Sequence, residues 1–216
     1  MLFRSGFDWI AVDLEHGVID LESTASLFRA IERYAAVPVA RLPYNDPIWI
    51  KRVLDAGARG LIVPMVNSQA EAQAAMDEAK YPPLGRRGFG YSRANVHGLD
   101  FTEYIRAAND EIAIVMQIEH RDGIADLDGI LSVPGVDGAF IGPLDLSGSF
   151  GKTGQLDCPE MVEALATFRS CCARHGIAAG MHLVHPNDGN IRQALADGYT
   201  MIALGVDNTL LAGAAQ

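Results

Sequence analysis

The chain has 216 residues, with 17 Lys and Arg against 27 Asp and Glu for a formal charge of −10, 49% hydrophobic residues and 7% aromatics. That length predicts a single domain over residues 1–216, and the apolar fraction suffices for a sizeable core, which excludes a disordered chain. The negative balance excludes a nucleic-acid or anionic-membrane surface, because both need clustered Lys and Arg, while a small anionic substrate needs only one or two local cations.

In chain order, residues 7–13 form the first apolar run, and Asp8 and Asp13 interrupt it, so no signal peptide is expected. Thr24, Phe28, Ile31 and Ala35 keep a helical spacing, followed by a strand at 37–41. Asp46-Pro47 reads as an N-cap with proline at the first helical position, and Gly57 closes that helix before a strand at 60–65. Ser68 and Glu71 make a capping-box pattern, as do Asp100 and Glu103 in looser form. Between them, residues 81–98 are a Gly/Pro/Arg-rich connection long enough to suggest a job of its own. Strands follow at 112–119, 136–141, 177–183 and 200–205. The helices between them are marked by Leu127, Ile130 and Leu131, by Met161, Leu165, Phe168 and Cys172, and by Ile191 and Leu195 up to Gly198.

These strands are apolar through consecutive positions, as in a parallel sheet covered on both faces. Alternation with helices and the absence of a glycine-rich dinucleotide fingerprint favour a TIM (β/α)8-type barrel over an open Rossmann sheet. No run approaches the roughly 18 apolar residues of a membrane helix. Three cysteines without C-x-x-C spacing predict free thiols in a reducing cytoplasm.

In such a barrel, reactive groups collect at the C-terminal ends of the strands. Those ends carry Asp13 to His16, Arg41, Pro64-Met65, Gln117 to Glu119, Gly142 to Asp145, and His182. Glu119 and Asp145 follow two consecutive strands, and a pair of carboxylates suits a hard cation such as Mg2+ or Mn2+. Arg41 is placed to grip a substrate carboxylate, and Asp13 with His16 makes a feasible carboxylate–imidazole base. Other signals are set aside. Gly151-Lys152-Thr153 lacks the earlier glycine of a P-loop, and His182 and His185 need not face one point. Arg86-Arg87 reads as structural. Lys51, Lys80 and Lys152 are the only lysines, and none sits where an imine-forming lysine is expected.

The motifs Phe7-Asp8-Trp9, Asp13-Leu14-Glu15-His16, Pro38-Val39-Ala40-Arg41 and Leu61-Ile62-Val63-Pro64-Met65-Val66 resemble the HpcH/HpaI aldolase family of metal-dependent pyruvate aldolases. So do Tyr81-Pro82-Pro83-Leu84-Gly85-Arg86-Arg87-Gly88, Gln117-Ile118-Glu119 and the stretch from Gly135 to Ser147, and the likeness covers residues 5–209. The resemblance implies a barrel holding a divalent cation (Mg2+ or Mn2+, with Co2+ as a third candidate) on Glu119 and Asp145. It implies reversible aldol cleavage of a 4-hydroxy-2-oxo acid, or a 2-keto-3-deoxy sugar acid, to pyruvate and an aldehyde through a metal-stabilised enolate. Arg41 would contact the keto oxygen, while Gln117 and the backbone at Gly142, Pro143 and Leu144 would position substrate. His16, oriented by Asp13, would move the proton. A homo-oligomer, trimer or hexamer, is implied as well. Family members carry about one more βα unit before the stretch like Ser5-Gly6-Phe7, so the barrel is expected to lack its first βα unit, and they continue into a C-terminal helix that packs on a neighbouring subunit. The alternative readings are a citrate-lyase-like or malyl-CoA-type lyase, and a truncated non-catalytic homologue.

Overall fold

The computed structural model describes residues 5–215, and all seven expected strands form there. They are parallel where paired and follow chain order, alternating with helices, which is the (β/α) pattern of a TIM-type fold. The strand at 37–41 matches its apolar run, and the other six are one or two residues shorter, because the outermost residues leave the ladder to enter the strand-end loops.

The chain divides into two compact units, Met1–Val66 with Ala70–Met116, and Asn67–Gln69 with Gln117–Gln216. In the first unit lie β1 (Trp9–Asp13), β2 (Val37–Arg41), β3 (Gly60–Val63) and most of β4 (Ala113–Ile118). They are joined by α1 (Leu21–Ile31), α2 (Pro47–Asp55), α3 (Gln69–Ala79) and α4 (Phe101–Glu111). Parallel neighbours need such crossovers, since a tight hairpin cannot return the chain to the same end. Every residue of β3 is buried, as continuous apolar sequence requires when both faces are covered. In the second unit, β5 (Gly138–Ile141), β6 (Ala178–Leu183) and β7 (Met201–Leu204) pair in turn. Its helices are α5 (Arg121–Ala125), α6 (Leu127–Leu131), α7 (Pro143–Ser149), α8 (Pro159–His175), α9 (Asp188–Ala196) and α10 (Asp207–Ala214). Among the described residues no helix is long and apolar enough to cross a membrane.

Local chemistry sets the helix ends. The Asp46 carboxylate accepts from the N–H groups of Ile48 and Trp49, as the Asp-Pro pair predicts. One expectation fails. Asp100 makes no side-chain cap, its backbone lying outside the extended conformation a cap needs. The N–H of Gln69, which opens α3, donates to the Asp126 carboxylate at 2.7 Å, a partner 57 residues away that local spacing does not reveal.

The long connection between α3 and α4 is anchored by a buried arginine. Arg87 pairs with Asp55 at 2.7 Å, lies with its guanidinium over the Tyr81 ring 4.5 Å from the centroid, and donates to the Tyr104 hydroxyl at 3.2 Å. Its Nε and Nη1 are buried without hydrogen-bond partners among the described residues, so the aromatic faces are what stabilise that side of the guanidinium. Arg86 beside it pairs with Glu78 at the surface. Arg87→Ala is expected to cost about 3 kcal/mol, since it strips a buried pair of one member, and Arg86→Ala less than about 1 kcal/mol. Urea denaturation followed by circular dichroism measures both, and equal losses at the two positions would contradict the assignment.

Candidate active site

The first cluster stands at the end of β1 and β2. Their register sets Asp13 opposite Arg41, and the ladder continues with the Leu14 N–H donating to the Arg41 carbonyl at 2.9 Å. Neighbouring strands lie about 4.8 Å apart, so the two side chains meet directly. Arg41 clasps Asp13 with a fork, Nε to Oδ1 at 2.9 Å and Nη2 to Oδ2 at 2.5 Å. Its Nη1 lies 3.3 Å from Glu15 Oε2, so two carboxylates bracket one guanidinium. Asp13 Oδ1 also accepts the backbone N–H groups of Glu15 at 3.0 Å and His16 at 3.4 Å.

The geometry around His16 differs from the expected Asp13–imidazole pair. With its carboxylate occupied by Arg41, Asp13 orients His16 through the main chain, and the carboxylate nearest the ring is Glu15, 3.8 Å from Nε2. The imidazole is 69% exposed. Glu15 is thus a site residue that sequence reasoning passed over. Its signal was present, an acidic side chain two positions beyond the end of the first apolar run.

Burial pushes the Asp13 carboxyl up, but the hydrogen bond and charge of Arg41 and the two backbone donors outweigh it, and the net shift is downward. A folded-state value below the unfolded one means the pair contributes fully above the ordinary carboxylate range. That contribution is lost as pH falls through the depressed value. The difference in melting temperature between the parent and Asp13→Asn is therefore expected to be constant from neutral pH to about pH 5 and to shrink below about pH 4. A difference that grows on acidification would contradict this.

The second cluster stands at the ends of β4 and β5. Glu119 follows β4 with its residue only 4% exposed, and Gln117 Nε2 donates to its Oε2 at 2.6 Å. The Gly142 N–H donates to the Ile118 carbonyl at 3.0 Å, which closes the end of β5 onto β4. A Cβ at Gly142 would lie 2.7 Å from both Glu119 Cβ and Oε2, so only glycine leaves this carboxylate its place. Proline at the first position starts α7 there, and Asp145 sits exposed in its first turn. The Arg121 N–H donates to Ser149 Oγ at 3.0 Å, tying the loop that carries Glu119 to the far end of the helix that carries Asp145. Leu144, between them, is exposed.

This donor set fits a hard divalent cation. A buried carboxylate in a pocket shaped by a glycine and an exposed one on the adjoining helix offer only oxygen ligands, the choice of Mg2+ and Mn2+. Several of the residues set aside on sequence grounds have partners elsewhere. Lys80 is buried and donates to the carbonyls of Asn109 and Ile112, and Lys152 of the P-loop look-alike pairs with Glu160 at 2.7 Å. His182 Nε2 lies 3.2 Å from the Gly205 carbonyl, while the His185 carbonyl accepts from Asn190. Just beyond β3, Met65 has φ of 53°, a left-handed value that methionine rarely adopts and a kind of strain that gathers at functional sites.

Comparison with known proteins agrees in one direction. The profile of the HpcH/HpaI aldolase/citrate lyase family matches residues 1–214. A hydroxypyruvate/pyruvate aldolase from Roseovarius nubinhibens is 41% identical over 221 residues, covering all of this chain and 84% of its own. A 4-hydroxy-2-oxo-heptane-1,7-dioate aldolase from Escherichia coli is 38% identical over 217 residues, covering all of this chain and 82% of its own. Among solved structures, an HpcH/HpaI aldolase/citrate lyase family protein from Burkholderia cenocepacia superposes with a TM-score of 0.94 at 33% identity, over 99% of this chain and 85% of that one.

Proposed function

Because the chain belongs to the HpcH/HpaI aldolase/citrate lyase family, we propose that it cleaves a 4-hydroxy-2-oxo acid reversibly to pyruvate and an aldehyde, with Glu119 and Asp145 as ligands of a divalent cation. The observation that carries this reading is the buried Glu119 carboxylate, gripped by Gln117 and given its room by Gly142. When bound, the cation supplies a Lewis acid that favours the enolate of a 2-oxo acid over its ketone. The chain's own groups do the rest. Arg41, fixed in its plane by Asp13, donates to the keto oxygen as charge gathers there on breaking of the C3–C4 bond. His16, with Glu15 as its charged neighbour, takes the proton from the 4-hydroxyl and returns one as pyruvate forms. Gln117 and the backbone at Gly142, Pro143 and Leu144 position the substrate. A CoA-dependent lyase is less well supported, since two of the three lysines are engaged in internal contacts and offer little to a phosphate-rich cofactor.

The test is exchange of the pyruvate methyl protons in D2O, followed by NMR with and without EDTA. Exchange that stops on chelation and returns with Mg2+, Mn2+ or Co2+ supports the reading. Exchange undiminished by EDTA removes the cation from it.

A further inference from the structure

A second group of metal-ligating side chains lies in the outer helices, among residues the aldolase reading leaves unused. Cys171 and His175 are four residues apart on α8, one turn on the same face, and Asp128 reaches them from α6. Asp128 Oδ1 lies 2.8 Å from His175 Nε2 and 3.4 Å from Cys171 Sγ, and the ligand atoms of the three lie within 4.8 Å of one another. In a tetrahedral zinc site, with Zn–S about 2.3 Å and Zn–N or Zn–O about 2.0 Å, ligand atoms stand roughly 3.3 to 3.5 Å apart. Small rotamer shifts therefore bring the cluster to that size.

We propose that Asp128, Cys171 and His175 form a binding site for a thiophilic divalent cation of the Zn2+ class, separate from the site at Glu119. The donor chemistry separates the two. A thiolate and an imidazole select Zn2+ over Mg2+, whereas the carboxylates of Glu119 and Asp145 do the reverse. Position separates them too. α8 ends at Gly176, two residues before β6 opens at Ala178, so the cluster belongs to the N-terminal end of β6. Glu119 belongs to the C-terminal end of β4. Arg174 now holds a positive charge in this cluster, its Nη2 2.9 Å from Asp128 Oδ1 and 3.4 Å from Cys171 Sγ. Its side chain is 55% exposed, so it swings into solvent as the ion takes its place. Cys171 gives up its thiol proton to buffer on coordination, and three protein ligands leave a fourth position for water. The bound ion ties α6 to α8.

Cobalt is the probe, because a cobalt–thiolate bond has a charge-transfer absorption that oxygen-only sites lack. Metal-stripped protein titrated with Co2+ is expected to show this band, saturating at the same amplitude in the parent and in Glu119→Gln. Added Zn2+ displaces it and raises the melting temperature. The band is lost in Cys171→Ser and retained in Cys172→Ser, and His175→Gln, which leaves the buried thiol in place, weakens binding 10-fold or more. Folding of each variant is checked by circular dichroism. Absence of the band in the folded parent, or its persistence in Cys171→Ser, overturns the proposal. So does undiminished affinity in His175→Gln. Loss of the band in folded Glu119→Gln shows that the two sites are not separate and overturns it equally, whatever the exchange assay reports about pyruvate.

Discussion

Glu119→Gln is expected to lower metal-dependent exchange of the pyruvate methyl on the order of 10³-fold, equivalent to about 4 kcal/mol of transition-state stabilisation. The substitution keeps the shape of a side chain that is almost wholly buried, and the Gln117 amide can turn its oxygen toward the new amide. Folding should therefore survive, and what disappears is the negative charge available to a cation. The measurement is the exchange rate in D2O beside a thermal melt of the same preparation. A variant that melts with the parent and exchanges at a tenth of its rate or better would remove Glu119 from the chemistry.

Gly142→Ala is expected to lower the same rate on the order of 10²-fold with no change in charge. The backbone at this position, φ −106° and ψ 85°, does not forbid alanine. The obstacle is the space, since the added methyl would stand 2.7 Å from Glu119 Cβ and Oε2. Because the glycine backbone is held by Ile118, the carboxylate is the part that moves, and a displacement of about an ångström is enough to cost such a factor. Overpacking of this kind lowers stability by about 1–3 kcal/mol. Gly148→Ala is the control. Its nearest neighbour is Thr153 Oγ1 at 3.6 Å, an ordinary contact, and activity should be unchanged. Equal activity of the two alanine variants would show that the Glu119 carboxylate does not depend on this fit.

The strands were legible because a parallel strand buried on both faces must be apolar at consecutive positions, and β3 and β5 are buried throughout. The strand ends were legible for the same reason, since polar groups directly after such runs, at Asp13, Arg41 and Glu119, have no packing explanation. Partnership was less legible. Asp13 and His16 are close in sequence, and only the register of β1 against β2 reveals that Arg41 takes the Asp13 carboxylate first. Helix faces were read imperfectly where small residues decide them. In α9 it is Ala194 that is buried while Leu195 is exposed, because a period of 3.6 read from one apolar pair, Ile191 and Leu195, does not fix the orientation of a helix. The Asp126 cap on α3 and the Asp128–Cys171–His175 cluster join residues more than 40 positions apart, beyond any local spacing rule.

The anchoring of the connection between α3 and α4 bears on protein engineering. Arg87 fixes one part of it, and Arg93, donating to the Ala56 carbonyl and paired with Glu32, fixes another. Between these two rivets, side chains grown from Gly88 or Gly90 would meet nothing within 4 Å. A randomised library at these two sites should leave the scaffold upright, making this segment a place to graft new recognition without redesigning the strand-end clusters.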